Sequence, residues 1–533
     1  MIIRSEVFCV IKRKTQDTSY WIHDFKIDEK EHEFIYDLLA ESDTPISTRQ
    51  LALAIMRRRM KQEENFLRNE LAKALIYDPR DHYKTGDAIY FPALDFKKGK
   101  VTDIRAGNNP EHGDFSVLTI TLEDEHKQRT FAADLQTPHK LNRTSDDNLL
   151  DDSDVLSPQA LLDEAGDVVL PTIEQHLSEN LDFFVRTGDA WLTADQIVPV
   201  SIGHLNIAEA LIEMNGSPVT TAELMEQVDL APDLSKDLRT FSLEIALQQD
   251  DRFMLVGLGS TPAWYLRRLM PDATTQIPEI LHYEPIDYDR SLLNSELLQT
   301  EYELRDEWSD APGPEEDATI QSAVFNLIYP HIRAGTMPFT LEIRKMIPKN
   351  KGLVSAITLV DGRWGSKFPA WVMPEGRYIA GLSDWYKEHK LPVGTRIFLS
   401  PTKTPNEFLI DFKPHRARRH WLRLATVQGS KLIFQMQQKT MNVEVEDTLV
   451  LAIGDPAAVE DLREHLEIED YDVRDIVAML MPELVRMSPQ GTTHVKTLYS
   501  ATNLIRRLPP GPIFAALTQL PGAIDTGSGF WSL

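Results

Sequence analysis

FPAWVMPEGRYIAGLSDWYKEHKLPVGTRIFLSPTKTPNEFLIDF, residues 368–412, decides how this chain is read. Alternating apolar and polar residues in RYIAGL, TRIFLSP and EFLIDF predict strands. Ser383 is placed to cap a short helix, and LPVG turns the chain into the strand that follows. Upstream, LVSAITLVDGRWG adds a strand ended by Asp361-Gly362, a dipeptide suited to a tight hairpin turn. Downstream, KLIFQMQQKTMNVEVE adds more strands. A β-rich domain over residues 321–450 is the expectation.

Positive charge collects in the same region. The 533 residues carry a net charge of −26, yet segments differ sharply: −1 over 1–143, −29 over 144–320, +12 over 321–440 and −8 over 441–533. Exposed charges are screened beyond about 8–10 Å at physiological salt, so the local sign outweighs the total. A basic domain can therefore hold phosphate within an acidic chain.

Outward from this domain, the pattern predicts an α+β, multidomain protein with tandem winged helix-turn-helix modules and small β-barrels. EHEFIYDLLAES, ISTRQLALAIM and QEENFLRNELAKALI read as three helices, and AIYF as a strand, giving an N-terminal winged helix over 1–82. Short alternating strands then predict a small β-barrel over 83–143. Residues 144–200 and 284–320 are acidic and read as solvated linkers. Between them, over 201–283, LNIAEALIEMNG ends on Gly216 as a C-cap, Thr220 or Thr221 caps the next helix, and RFMLVGLG and AWYLRRL form a hairpin. At 455–533, three helices and the strands around GAIDTGSGFWSL give a third module of this kind. Trp264, Tyr265 and Trp531 at the hairpin ends read as core anchors.

The segment from LNIAEALIEMNGSPVTTAELMEQV to QQDDRFMLVGLGSTPAWYL resembles the HARE-type winged helix, a family that includes the amino-terminal domain of the bacterial RNA polymerase delta subunit. Ala208, Leu211, Ile212, Pro218, Asp251, Arg252, Phe253, Gly257 and Gly259 carry the likeness, over about 70 residues. This copy is acidic, as the delta subunit is, so the resemblance implies a protein partner such as RNA polymerase. The stretch 368–412 resembles the DNA-binding pseudobarrel of plant transcription factors and of some restriction-enzyme recognition domains, through Trp385, Tyr386, Leu391, Gly394 and Ile397. That likeness implies strand-rich edges in the major groove of double-stranded DNA.

Phosphate contacts need Lys and Arg converging on one surface, and base readout needs planar donors such as Arg. In the basic domain the candidates are Arg344, Lys345, Lys349, Lys351, Arg363, Lys367 and Arg377. KPHRARRHWLR adds Lys413, Arg416, Arg418, Arg419 and Arg423, with His415, His420 and Trp421 interleaved. MRRRMK offers Arg57, Arg58, Arg59 and Lys61 just before an expected recognition helix, and the last module offers Lys496, Arg506 and Arg507.

No enzyme motif is recognisable. GLGSTP lacks the Lys and spacing of a phosphate-binding loop, and H-E-x-x-H, paired C-x-x-C and G-x-S-x-G are absent. Ala501 stands where a phospholipase-D-type motif beginning at His494 and Lys496 needs Asp. LEIRKMI, with Glu342 and Lys345, has part of a metal nuclease motif. No cofactor is expected. Cys9 is the single cysteine, no apolar run reaches the roughly 20 residues of a membrane span, and MIIRSEVFCVIKRK does not read as a secretory leader. A cytoplasmic, transcription-associated DNA-binding protein is the leading expectation. An RNA polymerase-docking accessory protein and the recognition subunit of a restriction or defence system are the alternatives.

Overall fold

The computed structural model describes residues 13–73, 75–91, 94, 97–122, 128–139, 141, 155–258, 261–312, 320–347 and 354–533. Contacts divide an α+β chain into two units, one of residues up to 199 with 231–245, the other of 200–230 with 246–533. Lys349, Lys351 and Gly259 lie outside the described residues. No helix among the described residues is long and apolar enough to cross a membrane.

In the first unit, Asp28 caps α1 (Glu29–Ala40) by accepting from the Glu31 backbone. A short strand, β1 (Ile46–Ser47), leads into α2 (Thr48–Lys73). The two helices expected at 46–75 are this one helix, because MRRRMK has no Gly or Pro to break it. Five strands follow: β2 (Leu75–Ile76), β3 (Ala88–Phe91), β4 (Lys97–Ala106), β5 (Ser116–Leu122) and β6 (Gln128–Ala133), in sequential order across one sheet. Its two ends meet: Leu135 N donates to Pro79 O at 2.9 Å and the Tyr77 hydroxyl to Ala132 O at 2.6 Å. Tyr77, Tyr83, Phe91, Leu118 and Ile120 fill the interior.

The acidic stretch expected as a linker over 144–200 is ordered structure from residue 155. Ser157 caps α3 (Pro158–Ser178), and β7 (Phe184–Thr187) and β8 (Ala190–Thr193) form a hairpin. The acidic residues occupy one face of α3, while Leu161, Leu162, Ala165, Val169, Ile173 and Leu177 form the other. That apolar face shares a core with Trp21, Ile35, Leu39, Leu51 and Ile55. β1 pairs with β8, so this hairpin, not AIYF, completes the first helical module.

The second unit begins with α4 (Ile202–Asn215), ended by Gly216 in the left-handed region, and α5 (Thr221–Met225), capped by Thr220. α6 (Lys236–Gln249) follows. Its first part belongs to the other unit, where Phe241 and Ile245 pack against Leu192. β9 (Phe253–Leu258) and β10 (Thr261–Leu266) form a hairpin, and Val219 bridges to Trp264. The order helix, strand, helix, helix, hairpin, with the first strand beside the last, thus occurs here and in the first unit.

Residues 284–312 are no solvated spacer either. α7 (Ser295–Leu304) buries Leu297, Thr300, Glu301 and Leu304. Its charges are paired, with Arg290 donating to Glu301 at 2.7 Å.

Then come β11 (Ala323–Asn326), α8 (Tyr329–Ala334), β12 (Thr336–Pro338), α9 (Leu341–Met346), β13 (Ser355–Asp361), β14 (Lys367–Met373), β15 (Tyr378–Ala380), α10 (Ser383–His389), β16 (Arg396–Pro401) and β17 (Glu407–Phe412). The strands order as β11-β16-β17-β13-β14-β15-β12, and β9 joins alongside β13. The six-residue helix α8 links the two edge strands, so the sheet curls into a nearly closed, barrel-like form around Phe325, Ile357, Leu359, Trp385 and Ile397. Gly394, at φ 87°, makes the turn that LPVG predicts.

β18 (Pro414–Gln428) and β19 (Lys431–Val443) are not part of this sheet. They form a separate three-stranded sheet with β20 (Leu451–Ile453), in the order β19-β18-β20. The chain ends in α11 (Pro456–Ile468), α12 (Val473–Val485), β21 (Thr492–His494), α13 (Val495–Ile505), α14 (Pro510–Thr518), β22 (Ile524–Gly527) and β23 (Phe530–Ser532). With β21 paired to β23, α12 to β23 repeat the same element order a third time. Trp264, Tyr265 and Trp531 are buried, as core anchors should be.

Candidate nucleic-acid interface

The β18–β19 ribbon spans residues 414–443 and carries six Lys and Arg and no Asp or Glu. In an antiparallel pair, directly opposed residues share a face. Register places Arg419 opposite Thr440, Trp421 opposite Gln438, and Arg423 opposite Met436. The next pairs toward the turn, Ala425 with Phe434 and Val427 with Leu432, lie on the same face. Ala425, Phe434 and Leu432 are buried, so only the half nearer the barrel-like sheet is open to solvent.

The opposite face is anchored. Leu422 and Met441 are buried with Val450 in a small core that also takes in Leu424, Val445 and Ala452. A break in register between Pro414 and Arg418 swells the base of β18, where His415, Arg416 and Ala417 lie without direct partners. His415 and His420 stand with ring centroids 5.5 Å apart.

Arg416, Arg418, Arg419, Lys431 and Lys439 are exposed, and no ion pair among the described residues holds any of them. Arg423 differs. It is half-buried, burial pushes its guanidinium below the usual range, and it donates to Asp447 O at 3.2 Å. Trp421 is 60% exposed, although an indole of that size ordinarily gains from burial.

Most of the other cations expected at the interface are spent within the fold. Arg363 makes a two-pronged contact to Asp411, both arms at 2.6 Å, and Lys367 pairs with Glu407. Arg377 lies 4.1 Å over the Trp308 ring and donates to Glu307 O. Arg344 donates to Phe339 O at 2.8 Å and to Glu307 O at 3.1 Å. Lys413 sits 3.7 Å from Glu444, and Lys345 is exposed on α9. A guanidinium held by a carboxylate or carbonyl gives up those bonds before it can take a phosphate, and Arg344, Arg363 and Arg377 are engaged in this way within the fold.

The basic run of the first unit also lies elsewhere than expected. Arg57, Arg58, Arg59 and Lys61 lie inside α2, not at the start of a recognition helix. Arg59 is fixed by Glu31 at 2.9 Å, the Tyr20 hydroxyl and Lys26 O, and Arg58 lies over Phe34. Arg57 and Lys61 remain exposed.

Among the last three candidates, Lys496 pairs with Glu303 at 2.8 Å and Arg506 donates to Tyr471 O at 2.7 Å. Arg507 is fully buried. Its Nη2 donates to both Asp306 oxygens at 2.8 Å and to Glu307 at 2.7 Å, and Tyr499 donates to Asp306 at 2.6 Å. Burial pushes both carboxyls up. For Glu307 the Arg507 guanidinium and His331 outweigh it and hold the group far below the usual range, while Asp306 stays raised. This cluster ties the 306–307 segment to the α13 end.

One feature escaped the sequence reading. Trp364, in the turn after β13, is 63% exposed and packs against His389 with centroids 4.2 Å apart and ring planes tilted by 36°. His389 is itself fixed by Asp361 at 2.7 Å. The GRWG stretch reads only as a hairpin turn, and nothing local separates an exposed indole from one folded inward. No protein-family profile, curated protein or solved structure matches the chain.

Proposed function

We propose that this chain binds DNA through the β18–β19 ribbon. One observation carries the reading: thirty consecutive residues with six cations and no carboxylate form two paired strands, exposed over the half nearer the barrel-like sheet, in a chain of net charge −26. A two-stranded ribbon fits the major groove, roughly 12 Å wide. Arg419 on the open face, Arg416 in the bulge and Arg418 on the other side of β18 would meet phosphates, and Gln438 and Thr440 would face base edges.

In this reading the three repeats of helix, strand, helix, helix and hairpin are winged helices, and residues 321–413 are a pseudobarrel that holds the ribbon. Their third helices are poor DNA readers. α3 has no Lys or Arg, α14 has no charged residue, and in α6 Lys236 and Arg239 are offset by Asp237 and Glu244. The modules therefore serve as scaffold or protein contacts, within a transcription-associated or defence-associated factor.

Fluorescence anisotropy of the full chain on a random-sequence duplex tests the proposal. Replacing Arg416, Arg418 and Arg419 with Ala should weaken binding sharply at low salt without lowering the melting temperature. Unchanged affinity would overturn it.

A second reading, docking on RNA polymerase, draws support from α4. Ile202, Ile207 and Met214 are exposed there, while Arg252 and Arg268 are held by Glu209. Ile207→Asp with Met214→Asp should then abolish recovery of polymerase subunits and leave DNA affinity intact.

A further inference from the structure

Nine tryptophans occur in the chain. Trp21, Trp191, Trp264, Trp371, Trp385 and Trp531 are buried, Trp308 is half-buried, and only Trp364 and Trp421 are exposed, at 63% and 60%. The two exposed indoles are linked through a short path in the fold. Trp364 packs against His389, whose ring lies 5.0 Å from that of Phe412, the last residue of β17. Two residues on, β18 begins, and Trp421 stands on its open face. The nine residues from Phe412 to Trp421 reach at most roughly 30 Å when fully extended.

Each indole is more than half exposed. Behind Trp364, His389 is locked by Asp361, whose side chain is fully buried and accepts from the Arg363 backbone at 2.7 Å. Around Trp421 the neighbours on its face are Arg419, Arg423, Gln438, Thr440 and Met436, of which only Met436 is apolar.

Groove edges of a paired duplex offer hydrogen-bonding groups, not ring faces. An exposed indole gains from DNA only where a base has left the stack. We infer that the preferred substrate is DNA with an unpaired stretch, whose bases stack on Trp421 and Trp364 while the ribbon arginines hold the adjoining phosphates. This rests on the DNA-binding reading above and adds the class of DNA.

The test uses the full chain and three labelled probes of equal length: a matched duplex, the same duplex with a central unpaired run, and an oligothymidylate. Trp421→Ala and Trp364→Ala should each weaken binding to the latter two by roughly 5- to 100-fold and weaken matched-duplex binding by clearly less. Trp421→Phe and Trp364→Phe should restore most of the loss, because a smaller ring still stacks.

Equal loss on all three probes, or no loss on any, overturns the inference. If the arginine variant loses duplex binding while the Ala variants discriminate nothing, this inference alone falls. If the unaltered chain binds none of the probes, the DNA-binding reading falls with it.

Discussion

The ribbon arginines should set how steeply DNA affinity depends on salt. Five ribbon cations, Arg416, Arg418, Arg419, Lys431 and Lys439, are exposed and make no ion pair among the described residues, and Arg423 is anchored within the fold. Each phosphate neutralised contributes about −0.9 to the slope of log affinity against log salt, so five contacts give about −4.5. Removing Arg416, Arg418 and Arg419 leaves two cations and a slope of about −1.8. Between about 50 and 200 mM salt the unaltered chain should lose roughly 500-fold in affinity, and the variant only roughly 12-fold. Anisotropy titrations across that salt series, with a duplex shorter than two footprints, measure both slopes. Parallel lines would refute the reasoning, since they would mean that cations elsewhere carry the phosphate contacts.

Four further outcomes follow from the geometry. Arg507→Met leaves Asp306 and Glu307 buried without their guanidinium and should cost about 3–5 kcal/mol in chemical denaturation, with DNA affinity of the folded fraction unchanged. Gly394→Ala places a Cβ at φ 87° and 3.1 Å from Val450, and should lower stability by about 1–3 kcal/mol in a thermal melt. Arg59→Ala should destabilise the first unit by about 1.5–3 kcal/mol, whereas Arg57→Ala, on the same helix, should change stability by less than about 0.5 kcal/mol. Burial pushes the Asp361 carboxyl up, but the Arg363 N–H and His389 outweigh it and hold the group below the usual range. Its stabilising effect is therefore present above the ordinary aspartate value of about 3.9 and fades as pH falls through the lower native value; acid denaturation of Asp361→Asn should lack that component.

Local chemistry made much of the fold legible. Gly216 and Thr220 bound their helices, Gly394 makes its turn, and the short strands of 88–133 lie where alternation places them. Long-range pairing was not legible. That α3 completes the core begun by α1 and α2 depends on contacts across more than a hundred residues, and acidic composition hid its apolar face. Cation counts likewise located the basic region, but could not tell Arg363, gripped by Asp411, from Arg418, which faces water. Pairing is decided by strand register, and register appears only in three dimensions.

The five strands of 75–133 sit in the chain between helices that share one core, and this bears on how the protein is made. Half of that core emerges only after residue 160, so α1 and α2 must wait, with their apolar sides uncovered, while the inserted sheet is synthesised. The insert, whose ends meet, can close first and bring the waiting partners near one another. A nascent chain halted near residue 143 should therefore hold a protease-resistant sheet and two unprotected helices, and should recruit chaperones until translation resumes.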